Sequence, residues 1–139
     1  MSDPATIARE YLESFNRRDW DKMRNLLHAQ YTYIGGDGQR LEGPEAGLAV
    51  AQGFAAAMSD AKIIIHNVYA SGSTAITEFT GSGTHDGDFA GIPASNRRVT
   101  MPVCNVIEIK DGKILAEREY MDMANMMQQM GALSAPARA

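Results

Sequence analysis

The sequence predicts an α+β protein, and three observations support this fold class. Apolar residues recur at helical spacing in three segments that precede Ser59. From Lys62 to Met121 the chain instead carries β-prone runs separated by short turn signals. A single one-faced helix follows near the carboxyl end. Helices first and hairpins afterwards are typical of helices packed against one face of an antiparallel sheet.

Three helices are predicted before the sheet. Asp3 is suited to cap the first helix, with Pro4 at its first position, and Asp19 is suited to cap the second. Gly43-Pro44 begins the third helix. The apolar faces comprise Ile7, Ala8, Tyr11, Leu12 and Phe15, then Trp20, Met23 and Leu27, and finally Leu48, Ala51, Ala55 and Met58. These faces predict a helical cover over one side of the sheet.

The first strands are predicted from short β-prone runs that end at turn residues. Tyr31–Ile34 forms a short strand that stops at two glycines. Lys62–Ala70 and Thr74–Thr80 form two strands joined by a tight connection. The segment Gly81–Asn96 is rich in Gly, Asp, Ser and Thr, and we expect it to be a loop.

The last hairpin joins two β-prone runs at Asp111-Gly112, which is a strong signal for a two-residue turn. With such a turn, one face of the hairpin carries Met101, Val103, Asn105, Ile107, Ile109, Ile114, Ala116, Arg118, Tyr120 and Asp122. The other face carries Cys104, Val106, Glu108, Leu115, Glu117, Glu119 and Met121. A three-residue turn with a glycine bulge would flip the face of one strand. Because that turn would scatter the three glutamates over both faces, we prefer the two-residue turn.

The first face of this hairpin is apolar near the turn and polar at its far end. The polar end carries Asn105, Arg118, Tyr120 and Asp122. Burying charged groups in a core without partners is costly, so a core face has no need of such a cluster. The pattern therefore predicts a pocket with polar groups at one end.

The end of the chain is predicted to be a short helix. Met123, Met126, Met127 and Met130 share one face, and Gly131 ends the helix. Residues 134–139 are expected to be a frayed tail. Since there is neither an internal repeat nor an interior linker, residues 1–139 are expected to form one domain.

Composition excludes several classes of function. The formal charge of −4 and the pI of about 5.3 argue against nucleic acid as the main partner. We expect no membrane association, because no apolar run approaches the length of a membrane span. The single Cys104 and the absence of a secretion signal favour the cytoplasm. Three dispersed histidines and one cysteine have no zinc-ligand spacing, so no metal site is expected.

A family resemblance is carried by the loop and the hairpin. Its residues are Gly83–Ala94, which read G-T-H-x-G-x-F-x-G-x-P-A, together with Arg97-Arg98-Val99, Asp111–Ile114, Glu117, Asp122 and Gln129–Gly131. In these residues the chain resembles the SnoaL-like polyketide cyclases, members of the nuclear-transport-factor-two-like superfamily with its ketosteroid-isomerase-like cone fold. The early helices and Gly43-Pro44 fit as well, so the resemblance covers nearly the whole chain.

The resemblance implies a cone-shaped, curved antiparallel sheet packed against three N-terminal helices and a short C-terminal helix, with a cavity inside. It also implies a homodimer formed through the outer face of the sheet. In the cyclases an acid after the last strand acts as general acid and base in an intramolecular aldol ring closure, without metal or cofactor. The matching residue here is Asp122.

Two residues depart from the family pattern. Asn96 stands where a glycine is usual, but asparagine tolerates the left-handed conformation, so the turn can form. Arg118 replaces an aromatic residue that is common four places before the acid. This second departure bears on the identity of the substrate.

Asp122 and Arg118 each have a functional and a structural interpretation. A carboxylate in an apolar cone has a raised pKa and is a better base, which would make Asp122 the catalytic residue. Alternatively, Asp122 caps the helix that follows it. Arg118 could bind an acidic or enolate oxygen of a ligand, pair with Asp122, or form an ion pair on the sheet with no ligand.

The predicted binding residues surround this acid. Asn105 could donate an amide hydrogen bond to a carbonyl oxygen, and Tyr120 and Tyr33 could donate phenol hydrogen bonds to an enolate. The remaining candidates for the wall of the cavity are His66, Trp20, Phe15 and Met58. Each of these residues could equally be an ordinary packing residue. His85 is expected to order its loop and is left out of the site.

The leading hypothesis is a cofactor-free cyclase or isomerase that acts on a small, largely apolar carbonyl compound. Asp122 would remove a proton from the carbon next to the carbonyl group, and the resulting carbon nucleophile would attack a second carbonyl held nearby. Two alternatives remain. One is a hydrolase of an epoxide or ester, and the other is a protein that binds a hydrophobic ligand without catalysis.

Overall fold

The computed structural model describes residues 3–132, and within this range it contains four helices and six strands. The helices are α1 (Pro4–Asn16), α2 (Trp20–Leu26), α3 (Pro44–Ala57) and α4 (Met123–Gln129). The strands are β1 (Leu27–Ile34), β2 (Arg40–Glu42), β3 (Lys62–Ser71), β4 (Thr74–Thr84), β5 (Arg98–Lys110) and β6 (Lys113–Tyr120). The predicted tail at 134–139 lies outside the described residues. None of the described helices is long and apolar enough to cross a membrane.

The six strands form one curved, open sheet in the order β2-β1-β6-β5-β4-β3. All neighbours are antiparallel except β1 and β6, which run parallel, so the sheet is mixed and not wholly antiparallel as the resemblance implied. The first three helices lie over the inner face of the sheet, as the α+β prediction requires. Apolar side chains from the helices and the inner face form the core.

Local signals in the sequence correctly located the starts of the helices. The Asp3 carboxylate accepts a hydrogen bond from the Thr6 amide at 2.8 Å, and the Asp19 carboxylate accepts one from the Lys22 amide at 3.1 Å. Asn96 adopts the left-handed conformation with φ of 57°, as its position in the loop predicted. Each of these features depends only on neighbours along the chain.

Several strand boundaries differ from the prediction. β1 begins at Leu27, which was expected on the apolar face of the second helix, and the short β2 was not predicted. The predicted loop Gly81–Asn96 is also shorter, because β4 continues to Thr84 and pairs there with Arg98 of β5. Hydrogen bonds to β5 extend β4 through glycine and polar residues whose own β-propensity is low.

The two-residue turn of the last hairpin is confirmed, but the predicted pairing holds only beside it. Asp111 and Gly112 both have positive φ, at 54° and 73°, as the tight hairpin turn requires. Lys110 pairs with Lys113 and Ile109 with Ile114 as predicted. At the next step Glu108 pairs with Ala116, so one extra residue, Leu115, bulges from β6.

This bulge reverses the face of every later residue of β6. Asn105 of β5 pairs with Glu119, not with Arg118 as predicted. Glu117 and Glu119 therefore lie on the inner face with Asn105, while Arg118 and Tyr120 lie on the outer face. The predicted sorting of these four β6 residues is wrong, because a one-residue shift moves each side chain to the opposite side of the sheet.

A close approach between α3 and β1 depends on a glycine. A Cβ atom built on Gly47 would lie 2.3 Å from the Tyr31 ring, whereas one built on Gly53 of the same helix would meet nothing within 4 Å. Gly47 and Tyr31 are both buried. The absence of a side chain at Gly47 therefore lets α3 lie directly on the tyrosine ring.

We expect Gly47→Ala to destabilise the protein by about 1–3 kcal/mol, because the added methyl group must displace the Tyr31 ring. Gly53→Ala is the matched control, and it should be neutral or stabilising by up to about 1 kcal/mol, since alanine favours the helix. Urea unfolding of both variants measures the difference. Equal free energies of unfolding for the two variants would contradict the close approach.

Candidate active site

An apolar hollow lies between the helices and the inner face of the sheet, and we call it the inner hollow. Its free volume is about 110 Å³. Its walls include Leu12, Phe15, Val50, Phe54, Met58, Phe79, Val99, Met101, Val103 and Met126. The polar residues that line it are Tyr11, Tyr33, Lys62, Ser82, Asn105, Glu117 and Glu119. A few convergent polar groups in an apolar hollow are typical of a small-molecule site.

Glu117 is the most deeply buried carboxylate of this group, with 3% of its surface exposed. One of its oxygens, Oε1, accepts hydrogen bonds from the hydroxyls of Tyr11 at 2.7 Å and Tyr31 at 2.6 Å. The other oxygen, Oε2, accepts a hydrogen bond from Asn105 Nδ2 at 2.7 Å. Three donors from α1, β1 and β5 therefore meet at one carboxylate.

Burial controls the protonation of this network. It raises the pKa of Glu117, and the hydrogen bonds from Tyr11 and Tyr31 only partly oppose this effect. Burial and the nearby Glu117 charge also raise the pKa of both tyrosines well above the ordinary value. Both phenols thus remain protonated and act as hydrogen-bond donors.

Glu119 lies two residues further along β6, on the same face, and it is half-buried. Its Oε1 accepts a hydrogen bond from the Tyr33 hydroxyl at 3.0 Å. Burial, and after it the negative charge of Glu117, raises the pKa of Glu119 to about 7, while hydrogen bonds from Tyr33 and Asn105 act in the opposite direction. Near neutral pH this carboxyl group can therefore both accept and release a proton.

Glu119 stands where the inner hollow meets a second, more polar hollow, which we call the outer hollow. The outer hollow has a free volume of about 280 Å³ and includes the side chains of Asp37, Gln39 and Asp88. Both hollows are lined by Tyr33, Val50, Phe54, Glu119 and Met121. A ligand that enters through the outer hollow would meet Glu119 before it reached the apolar interior.

Four of the predicted site residues do line the inner hollow. They are Asn105, Tyr33, Phe15 and Met58. In this structure Asn105 Nδ2 donates to Glu117 and the Tyr33 hydroxyl donates to Glu119, so both side chains bind carboxylates here and not a carbonyl oxygen as predicted. Trp20 packs behind this wall, with its ring edge against Phe15 at a centroid distance of 6.0 Å.

The other predicted polar residues lie elsewhere. Arg118 forms an ion pair with Glu108 on the outer face of the sheet. This matches the alternative in which Arg118 pairs on the sheet and binds no ligand. Tyr120 is 57% exposed on the same face. His66 is also exposed, and its Nε2 lies 2.7 Å from Thr80 Oγ1. The bulge at Leu115 explains the misplacement of Arg118 and Tyr120.

Asp122 is exposed and serves as the cap of α4. Its Oδ1 accepts a hydrogen bond from the Asn125 amide at 2.9 Å. The predicted position of Asp122 inside an apolar cone is wrong, because β6 ends at Tyr120 and Asp122 lies beyond it, exposed and outside the lining of the inner hollow. The structural interpretation of this residue is therefore the one that the geometry supports.

Sequence reasoning missed the acids and two tyrosines at the centre of the site. Glu117 and Glu119 were assigned to the face opposite Asn105, Tyr11 only to the apolar face of the first helix, and Tyr31 only to a short strand. One signal in the sequence could have located this network. The two glutamates are spaced two residues apart, so they share a face of their strand, and the tyrosines could supply hydrogen-bond donors to them. His85, in contrast, orders its loop as predicted, since its backbone carbonyl accepts hydrogen bonds from the amides of Ser95 and Asn96.

The chain is similar to known proteins over almost its whole length. A family model described as SnoaL-like polyketide cyclase matches residues 5–130. Aklanonic acid methyl ester cyclase DnrD of Streptomyces peucetius is 28% identical over 134 residues, which cover 94% of this chain and 92% of the relative. The cyclase of the same description from Streptomyces sp. strain C5, DauD, is 27% identical, with 94% and 83% covered.

Solved structures share the fold. Wild-type IdmH from Streptomyces antibioticus superposes with a TM-score of 0.81 at 24% identity, covering 94% of this chain and 99% of IdmH. TsrD from Streptomyces laurentii gives a TM-score of 0.81 at 26% identity, covering 92% and 94%. A structure of an epoxide hydrolase from M. tuberculosis superposes less closely, with a TM-score of 0.72 at 22% identity, covering 91% and 88%.

The raised pKa of Glu119 predicts that stability falls as pH rises. Between the ordinary value of 4.5 and about 7 the folded state binds more protons than the unfolded state, so the free energy of unfolding decreases across this window. We expect a loss of about 2 kcal/mol, because each pH unit contributes at most about 1.4 kcal/mol and the carboxyl group is only half-buried.

Urea unfolding at pH 5 and pH 8 measures this loss, and Glu119→Gln should reduce it because glutamine does not titrate. The variant should therefore gain stability relative to the natural protein at pH 8 but not at pH 5. A pH dependence that is identical in both proteins would show that Glu119 ionises normally.

Proposed function

Because the chain belongs to the SnoaL-like polyketide cyclase family, we propose that it closes a ring in a small, largely apolar carbonyl compound by an intramolecular aldol reaction. The family and its named relatives support an enzyme of the cyclase type. The observation that carries the proposed chemistry is the carboxyl group of Glu119. It lies at the mouth of an apolar hollow, and its pKa is raised to about 7.

Glu119, and not Asp122, is the proposed general acid and base. A base must reach a ligand in the hollow and must be basic enough to take a proton from carbon. Glu119 lines both hollows and has a raised pKa. Asp122 is exposed and its carboxylate is engaged with the first turn of α4.

The reaction begins when the ionised Glu119 removes a proton from the carbon next to a carbonyl group. The C–H bond breaks, and its electrons form an enolate. The enolate carbon attacks a second carbonyl carbon of the same molecule, so a C–C bond forms and the attacked oxygen becomes an alkoxide. The protonated Glu119 then returns its proton to that oxygen. The walls of the inner hollow hold the two carbonyl groups close together, which supplies part of the rate.

Tyr33 is the proposed donor to the enolate oxygen. Its hydroxyl donates to Glu119 in this structure, and burial together with the Glu119 charge raises its pKa, so it stays protonated. When Glu119 takes the proton from carbon it becomes a weaker acceptor. The Tyr33 hydroxyl is then available for the developing negative charge on the substrate.

Glu119→Gln should reduce turnover about 100-fold or more, because it removes the proton acceptor and keeps the size of the side chain. Asp122→Asn is the matched control and should stay close to the natural rate, since asparagine caps a helix nearly as well as aspartate. Two probes measure the effect: ring closure of aklanonic acid methyl ester, and deuterium exchange from D₂O into 2-tetralone.

The pH profile gives a second readout of the same proposal. With the natural protein, exchange into 2-tetralone should rise with pH and level off above about 7, as Glu119 ionises. If Asp122→Asn lost exchange while Glu119→Gln kept it at the natural rate, the general base would be Asp122 and not Glu119. Binding of 2-tetralone without exchange in any form of the protein would favour a binding protein.

We also propose that the protein forms a homodimer through the outer face of its sheet. Four large apolar side chains are exposed there: Ile64, Tyr69, Ile76 and Tyr120. The strand pairing places all four on the same side of β3, β4 and β6. Contiguous exposed apolar surface of this kind is typical of a protein–protein interface.

Ile76→Glu should convert such a dimer to a monomer, because it places a charge within this exposed apolar surface. Ala49→Glu, at an exposed position of α3 on the opposite side of the molecule, should leave the dimer unchanged. Sedimentation equilibrium measures the mass of both variants. A natural protein that sediments as a monomer at all concentrations would contradict the proposal.

A further inference from the structure

The ring of Tyr33 lies directly against Gly35, the first residue after β1. A Cβ atom built on Gly35 would lie 2.8 Å from both Cε1 and the hydroxyl oxygen of Tyr33, and 3.1 Å from its Cζ. These are the three nearest atoms to the built Cβ. Gly35 does not have a positive φ, so its backbone would accept an alanine without strain. The conflict at this position is therefore with the tyrosine ring.

The pairing of β1 with β6 explains why the ring lies there. Tyr33 pairs with Glu117 in this parallel ladder, but its hydroxyl donates to Glu119, two residues further along β6. Since a strand rises about 3.3 Å per residue, Glu119 lies about 7 Å beyond the partner of Tyr33. The Tyr33 side chain must therefore run forward along its own chain, over the next position on the same face. That position is Gly35.

The space around Tyr33 differs from the space around Tyr31, the other tyrosine that lies against a glycine. Tyr31 is 1% exposed and lines neither hollow, so an alanine at Gly47 has no free volume into which to push the ring. Tyr33 lines both hollows, and its ring can move into them. A side chain at residue 35 should therefore displace the Tyr33 hydroxyl with little loss of stability.

We propose that Gly35 is a positioning residue of the active site, because the absence of a side chain there lets the hydroxyl of Tyr33 reach Glu119. The inference rests on the proposed function, in which Glu119 is the base and Tyr33 the donor to the enolate oxygen. The hydrogen bond between them, at 3.0 Å, is already at the long end of the range for two oxygens. An ordinary contact with a Cβ atom at residue 35 requires the hydroxyl to move by about 0.6 Å. A displacement of that size takes the pair out of hydrogen-bonding range.

Four other groups lie around the Glu119 carboxyl, and a Cβ atom at residue 35 would meet Tyr33 before any of them. They are Glu117 on β6, Asn105 on β5, and Asp37 and Asp88 in the outer hollow. A change in the titration of Glu119 on substitution of Gly35 therefore reports the position of the Tyr33 hydroxyl.

Gly35→Ala should lower the limiting rate of exchange into 2-tetralone at least about tenfold, because the enolate oxygen loses its donor. The midpoint of the pH profile should move to higher pH, since the hydrogen bond from Tyr33 is one of the contacts that lower the pKa of Glu119. Gly53→Ala is the matched control, because its added methyl group meets nothing within 4 Å, and it should change neither quantity. In urea, Gly35→Ala should unfold closer to the natural protein than Gly47→Ala does.

Tyr33→Phe shows whether Gly35 acts through the tyrosine hydroxyl. Alone, it should lower the limiting rate and raise the midpoint in the same way as Gly35→Ala. When Gly35→Ala is added to Tyr33→Phe, neither quantity should change again, since the hydroxyl is already absent. A further tenfold loss of rate in the double variant would overturn the inference, because Gly35 would then act through another group.

Two NMR measurements are independent of the reaction. In the natural protein the α-protons of Gly35 should show nuclear Overhauser effects to the ring protons of Tyr33, and their absence would overturn the inference. The carboxyl 13C resonance of Glu119 should titrate at higher pH in Gly35→Ala than in the natural protein, and equal midpoints would also overturn it. If the midpoints differ but the natural protein exchanges no deuterium into 2-tetralone, the proposed function fails while the positioning of Tyr33 by Gly35 is upheld.

Discussion

The buried carboxylate of Glu117 is the interaction on which the rest of the site depends. Its three donors come from α1, β1 and β5, so one side chain links the helical cover to the inner face of the sheet. A buried carboxylate is tolerated only when its oxygens are satisfied, and here both of them are. Gly47 belongs to the same arrangement, because it allows α3 to hold the Tyr31 ring against the sheet.

The consequences of this buried charge reach the two neighbouring polar groups. Glu117 raises the pKa of Glu119 beyond the effect of burial alone, which brings that group into the range where it can exchange protons near neutral pH. It also accepts a hydrogen bond from the amide nitrogen of Asn105, which fixes that side chain in the wall of the inner hollow. Glu117 thus affects the protonation of Glu119 and the position of Asn105.

Sequence reasoning identified part of the site and misplaced the rest for one reason. Asn105 was assigned to the correct face because β5 alternates regularly from the turn back to this residue, and the extra residue lies in β6. Arg118 lies beyond the bulge at Leu115, so counting residues from the turn assigned it to the wrong face. Nothing local marks Leu115 as a bulge, since the same residues alternate acceptably in either register.

By itself the sequence determined the order of the helices and of every strand except β2, the caps at Asp3 and Asp19, and the turn at Asp111-Gly112. Each of these depends on interactions within a few residues, which a linear pattern records. The tertiary structure alone decided which face of β6 turns inward. On the face that turns inward Glu117 accepts a hydrogen bond from Tyr11, which lies 106 positions away and meets it only after the chain has folded. A contact of that kind leaves no periodic signal in either segment.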